Sequence, residues 1–524
     1  MQTPNQCPED NLVYTAGLDR VEEAVISSHF MHKFVGNTGL ELYGDDEFAA
    51  KSLEIDAKAL YDNLIPSLLN ACTAFSKDRA VRAKHRAREN YWRYGLNDPR
   101  DVGLAHFIAE VMFDRQYLRG SRETCSREVL CAKVKERVDA SAAIKMVILA
   151  LPFKFSSPLK TRGRLPDLAE VNFILGLYEI VATIELIYKE ARPNLEGRLA
   201  EFTVISDGSR FNKLVGEADN VVEEYRAHLG RWIERLGLKG YITLLDYSTL
   251  VRDRLPAAAR HAMDAIRIEA KREYAKTLWP IFNPSDMGAT IEAAAMVDLD
   301  PEYSNTEGRF VSLLKSLIYT INYTALQRFN GLSARQYRAL YRDLISHIFE
   351  PYTLLSSCEL QSVGEEAELS GDFPSTNKAK EYLRQTMLRE IWSTTIEYIA
   401  EIKSARELEE DPILTCLPDH FRWTIHEKPG QLAVLTVSAL GIRVQAWAGA
   451  AVFKLTKDGG IRLCTLPVLA LEGAGAIPVR GSGINGAPPV SNQPLFYIYP
   501  DIAFADLDDF LFKVSRFHVR KKRS

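Results

Sequence analysis

Six consecutive apolar residues, Met146-Val147-Ile148-Leu149-Ala150-Leu151, stop at Pro152 and limit the fold more than any other feature. A strand that is apolar at both parities has no face to turn to water, so it belongs at the centre of a parallel sheet covered on both sides. After a loop, Asp167 precedes an apolar stretch and Glu170 follows at the third position, a capping box that answers two orphan backbone donors. The helix it starts runs through Val171 to Ile187 and closes near Pro193. Phe202–Ile205 reads as a second strand ending at Ser206-Asp207-Gly208, residues 220–236 as a helix, and Tyr241–Leu245 as a third strand ending at Asp246. Strand, helix, strand, helix, strand at this spacing predicts an α/β fold with a Rossmann-like doubly wound parallel sheet. Such sheets bind ligands beyond the carboxyl ends of their strands, where this chain carries Lys154, Lys160, Asp207 and Asp246.

The flanks read differently. Residues 1–45 look loosely organised, and Phe48, Leu53, Ile55, Leu60, Leu64 and Leu68 predict mostly helix over 46–96. Helices are also expected over 126–139, 257–278, 307–330, 333–350 and 378–404, with a polar linker at Ser370–Thr376. From His420 the runs 421–427, 432–438, 442–456 and 461–469 are β-rich, and Lys457-Asp458-Gly459-Gly460 reads as a hairpin turn. These shifts predict an N-terminal helical region (1–125), the α/β core (126–370) and a smaller C-terminal α/β subdomain (371–524).

Composition removes several classes of function. A net charge of −4 argues against a nucleic-acid partner, which calls for a Lys/Arg excess. The basic end Arg520-Lys521-Lys522-Arg523 reads as a solvated tail. The polar start Met1–Asp10 has no secretory pattern, and no run of 18 apolar residues predicts a membrane span. Seven dispersed cysteines without a CxxC are expected to be reduced thiols of a cytoplasmic protein. No HExxH or zinc spacing asks for a metal.

Two segments carry chemistry. Between Lys154 and Arg164 four cations and three hydroxyls gather before a helix start, where the dipole and free amides favour anions. This is a phosphate-binding loop or, more blandly, a solvated basic loop ahead of a capped helix. In the strand Phe421-Arg422-Trp423-Thr424-Ile425-His426, alternation puts Arg422, Thr424 and His426 on one face. That row suits anion binding with proton transfer; it also fits a half-buried surface strand.

The loop LPFK…PLKTRGRLPDLAE resembles the LPFK…P…KT.G..PD.GE signature of the isocyanide (isonitrile) synthase family, also called the pyoverdine/dityrosine biosynthesis family, with Ala169 in place of Gly. Ile205–Asn212 with Leu214-Val215-Gly216 resembles its ISDG..F.D..GV segment, and Phe421–His426 its IRLSIH strand. Lys378–Arg389 is similar to a family helix ending in a characteristic Arg, here Arg389. The resemblance spans roughly 130–470 and implies a cofactor-free enzyme of secondary metabolism that condenses the amine of an amino acid with ribulose 5-phosphate. It implies catalytic roles for Lys160, Asp207 and His426. Substrate binding would fall to Lys154, Thr161, Asp167, Glu170, Ser206, Arg389 and Arg422, with Lys154, Lys160 and Arg422 on phosphate or carboxylate and Asp167 and Glu170 near the amine. A downstream oxygenase is the implied partner.

The chain departs from the pattern at one place. Where the family has a TPWHGVA-like stretch, this sequence reads Gln445-Ala446-Trp447-Ala448-Gly449-Ala450-Ala451, so a methyl group replaces a proton-transferring imidazole. A divergent amine/carbonyl reaction and a non-catalytic binding subunit are therefore alternatives. Gly481–Gly486 spells GxGxxG, but Pro488-Pro489 blocks the helix a dinucleotide site needs, so it reads as a glycine-rich loop.

Overall fold

The computed structural model describes residues 42–114, 125–154, 160–215, 217–279, 377–425, 431–433, 445–455, 459–482 and 493–516, with the single positions 282, 314, 317, 340 and 362. Strand β1 (Leu53–Asp56) precedes helices α1 (Ile65–Glu89), α2 (Leu104–Met112) and α3 (Arg127–Asp139). The apolar run then forms β2 (Ile144–Leu149), followed by α4 (Leu168–Ala191), β3 (Ala200–Ser206), α5 (Asp219–Arg235), β4 (Ile242–Asp246), α6 (Tyr247–Arg254) and α7 (Ala257–Thr277). Later come α8 (Asn377–Arg406), α9 (Pro412–Cys416), β5 (His420–Thr424), β6 (Leu432–Ala433), β7 (Ala450–Leu455), β8 (Ile461–Leu466), α10 (Val468–Gly473), β9 (Ile477–Ser482) and β10 (Phe496–Ile498).

The fold is mixed α/β. One sheet has the order β4-β3-β2-β5-β6 and is parallel throughout, with β2 at its centre. Register sets Val147 opposite both Thr203 and Arg422. Met146, Ile148, Phe202, Val204 and Trp423 enter the main core, whereas Val147 and Ile205 join a second cluster with Tyr247, Leu250, Ile413 and Leu417. Alternate residues of β2 thus serve opposite cores, which is why the run is apolar at every position. The strand order runs outward from β2 on both sides, to β3 and β4 on one and to β5 and β6 on the other.

The second sheet, β1-β9-β10-β7-β8, mixes parallel and antiparallel pairs. Helix α4 packs on strands of both sheets. Its Asn172 donates to Leu463 O at 3.4 Å, and Phe173 meets Trp447 edge-on with centroids 5.8 Å apart. By length and composition α4 could cross a membrane, yet 83% of its most apolar window is buried, as a core helix requires.

Several expectations change. β5 and β6 complete the first sheet instead of opening a C-terminal subdomain, and β1, read as helix, pairs with β9 through Ile55 and Gly481. Both sheets therefore cross the compositional boundaries. Ala446–Ala448 is a helical turn, not strand, and Pro467 ends β8 and starts α10. The hairpin β7–β8 is present, with Gly459 at φ 76°. Gly481 and Ser482 belong to β9; the rest of the GxGxxG run and the helices expected over 307–330 and 333–350 lie outside the described residues, apart from the single positions named above.

Candidate active site

The N-terminus of α4 holds the most concentrated set of charges expected for the site. Asp167 caps the helix: its Oδ1 accepts from Ala169 N at 2.6 Å, and its own N–H donates to Glu170 Oε2 at 2.9 Å. Lys154 Nζ donates to Asp167 Oδ2 at 2.8 Å, to Glu170 Oε2 and Oε1 at 3.0 and 3.1 Å, and to Ala446 O at 3.4 Å. Tyr225 of α5 donates to Glu170 Oε1 at 3.1 Å. All of these side chains are buried. Burial works against the Lys154 ammonium, but Asp167 and Glu170 outweigh it and hold it above its ordinary value. Burial likewise raises both carboxyls, Lys154 only partly offsetting it. An ammonium has three protons, and here all are engaged. Lys154 thus has none to spare for a phosphate, and Asp167 and Glu170 are occupied before any amine arrives.

Lys160 differs. Its backbone O accepts from Val468 N at 3.1 Å, which docks the loop on α10, but among the described residues its ammonium has no hydrogen-bond or ion-pair partner. Loss of water alone lowers its pKa to about 8. Thr161 beside it is buried. Arg162 is structural: it pairs with Glu472, donates to Tyr43 O at 2.7 Å and lies 4.0 Å over the Phe48 ring.

At the ends of β2 and β3 the backbone is tightly fitted. Leu151 has φ 56°, a left-handed conformation costing roughly 1–2 kcal/mol in a residue with a Cβ. Ser206 Oγ donates to its carbonyl at 2.8 Å, so Ser206 braces this turn. Gly208 is required, since a Cβ there would stand 2.0 Å from Pro152 O. Asp207, between these two, faces a second polar group comprising Arg210, Tyr247, Tyr398 and Arg422, on all of which its charge acts. Arg422 lies on the face of Val147, is buried, donates to Trp423 O and stands 3.5 Å from Asp411. Burial pulls its guanidinium below its ordinary value, Asp411 and Asp207 acting the other way. Among the described residues the buried Tyr247 hydroxyl has no hydrogen-bond partner. Lys154, Asp167 and Glu170 thus form one group at the start of α4, and Asp207, just past β3, forms another with Arg422 within β5.

Arg389 is not in either group: it is exposed on α8. The buried arginine of that helix is Arg384, which donates to Glu381 at 3.3 Å. Helical spacing held the signal, because Glu381, Arg384, Leu388, Ile391 and Thr395 share a buried stripe. His426 lies outside the described residues. Ala448 follows the Ala446 carbonyl that touches Lys154, and Gly449 is fixed by Leu466 O, 2.7 Å from where a Cβ would be. The sequence reading did not single out Tyr247, Tyr398 or Glu217; Glu217 stands where the ISDG..F.D..GV pattern has Val, and that departure was its signal.

Residues 134–341 match the family described as pyoverdine/dityrosine biosynthesis protein. The resemblance drawn from the motifs is borne out. The pyoverdine/dityrosine segment contains β2, the basic loop, α4, Asp207 and α5; β5 and the Trp447-Ala448-Gly449 turn lie beyond it. The L-tyrosine isonitrile synthase of Xenorhabdus nematophila is 26% identical over 110 residues, covering 21% of this chain and 30% of that protein. The chain therefore aligns with under a third of that relative's length. The crystal structure of the PvcA protein from Pseudomonas aeruginosa superposes with a TM-score of 0.44 at 18% identity, covering 76% of this chain and 100% of that one.

Proposed function

We propose that the protein is an isonitrile synthase-like enzyme of secondary metabolism, which joins the amine of an amino acid to the ketone of ribulose 5-phosphate without metal or organic cofactor. The observation that carries this reading is Lys160: an ammonium with no partner among the described residues, in the loop between the central strand and the start of α4, within the family-matched segment. A desolvated unpaired lysine suits the phosphate end of a sugar phosphate, and neighbouring helix amides would add to its pull. Asp207, just past the end of β3, and Arg422, within β5, are the acid/base and anion-contact candidates, with His426 and Thr161 as further contributors. Lys154, Asp167, Glu170 and Ser206 act by holding the turn and helix start, and Arg389 has no assigned contact. The central sheet supports a Rossmann-like, doubly wound reading through a strand order that runs outward from β2 on both sides and through its two apolar faces. We infer a reducing, cytoplasmic setting from the free thiols, and an oxygenase as the consumer of the product.

Incubation with tyrosine or tryptophan and ribulose 5-phosphate, followed by mass detection of an isonitrile, tests the reading; Lys160→Ala should abolish sugar-phosphate binding. Ala448 favours a second reading, a divergent amine/carbonyl reaction, because the methyl group sits where the family's imidazole would stand. Bound ribulose 5-phosphate with no isonitrile across an amino-acid panel would select that second reading.

A further inference from the structure

Glu217 is the buried acid that the protein leaves most exposed to a missing partner. It follows the short helix Gly208–Phe211 and the turn Asn212–Val215, and precedes α5, which carries Tyr225. The residue is 4% exposed, yet among the described residues neither carboxyl oxygen receives a hydrogen bond. Among the described residues the only cation paired with it is Arg164, whose Nη1 stands 3.6 Å from Oε2 and whose own side chain is 48% exposed. Asn212 is 1% exposed and braces the same loop: its Nδ2 donates to Glu217 O at 3.1 Å and Asp219 Oδ1 at 2.8 Å, and its O accepts from Glu217 N at 2.8 Å. Those two acceptors fix which way the amide faces, and among the described residues they leave Asn212 Oδ1 as another buried acceptor without a donor.

A buried carboxylate without hydrogen bonds is costly, and such groups are rare unless something absent from the free protein completes them. Burial pushes the Glu217 carboxyl above its ordinary value, and Arg164 offsets this only in part. The carboxylates at α4 offer a contrast, since Lys154, Tyr225 and backbone amides already satisfy them. An amine entering this region would find no free acceptor there.

We propose that Glu217, on the loop braced by Asn212, is the seat of a primary ammonium, the amine of the substrate, and that the half-exposed Arg164 guanidinium covers this place in the free protein. Arg164 lies in the same loop as Lys160, so the amine would meet a sugar phosphate held by that lysine. The inference rests on reading the protein as an amine-condensing enzyme, and it names the residue that holds the amine.

Calorimetric binding to the full chain separates the two. The probes are tyrosine, tryptophan, tyramine, tryptamine and the des-amino acid 3-(4-hydroxyphenyl)propionate, each against wild type and Glu217→Gln. The variant should bind the amines about tenfold or more weakly, the worth of a charge-assisted hydrogen bond, while the des-amino acid binds both proteins alike. Free Glu217→Gln should melt no lower than wild type, because the neutral amide removes a buried charge that is offset only by the long ion pair to the half-exposed Arg164; this also controls for folding. Equal amine affinity in the two proteins, or a wild type that binds the des-amino acid as tightly as tyrosine, overturns the inference, as does a wild type that binds no amine. Glu217-dependent amine binding with no condensation product keeps the inference and removes the enzymatic reading. Condensation unaffected by Glu217→Gln does the reverse.

Discussion

Lys154 and Lys160 stand at opposite ends of one short loop, yet the protein treats them in opposite ways. Lys154 is enclosed by Asp167, Glu170 and a carbonyl, and its charge is held above the ordinary range. Lys160 is half-buried with no anion supplied among the described residues, and its pKa is lowered to about 8. Both lost water; only one was given partners. A buried cation with its carboxylates is part of the architecture, whereas one without them has binding capacity left over. The same contrast separates Glu170, which is saturated, from Glu217, which is not.

The largest effect should come from Lys154→Met. Removing the cation strands two carboxyls in the core at a cost of about 3–5 kcal/mol, measured by urea denaturation. A loss under about 1 kcal/mol would break the comparison, because Lys154 would then not be what holds this cluster.

Lys160 should respond to pH instead. Its folded pKa is lowered, so the ammonium is charged below about 8 and neutral above it. Ribulose 5-phosphate affinity, read by titration, is expected to fall as pH rises through about 8, and Lys160→Arg should carry tight binding to higher pH. Without ligand the sign reverses. The folded state is penalised below about 8, where both states hold the proton but only the folded one is desolvated. Stability should therefore rise from about 8 towards the ordinary lysine range, and Lys160→Met should flatten that rise. Affinity that is level across this range would remove Lys160 from the phosphate contact.

Tyr225→Phe deletes one hydrogen bond to Glu170 and should cost about 0.5–1.5 kcal/mol in the same denaturation assay. Arg389→Ala, on the exposed side of α8, should fall within about 0.5 kcal/mol of wild type, with sugar-phosphate affinity unchanged. A larger loss of affinity there would return Arg389 to the site.

Local chemistry made much of this legible in advance. The apolar run of β2, the Asp167/Glu170 box and the turn at Gly208 each act over a few residues, so the sequence carries them openly. The basic loop was legible as a charge cluster, but its members could not be sorted: Lys154, Arg162 and Lys160 look alike as letters. Lys154 is partnered by Glu170, Arg162 by Glu472 and Lys160 by no described residue, at separations that no local pattern encodes. Arg389 was chosen by motif, whereas position around α8 selects Arg384, about 140° away at roughly 100° per residue.

From its sequence alone the chain was bound to place β2, β3 and β4 side by side with α4 between the first two, because periodicity and capping are properties of short segments. Tertiary structure alone decided that β5 completes the sheet beside β2, that β1 leaves the helical flank for the second sheet, and which charges were paired. Strand pairing and ion pairing between distant residues depend on how whole surfaces fit together, and that fit exists only once the chain has folded.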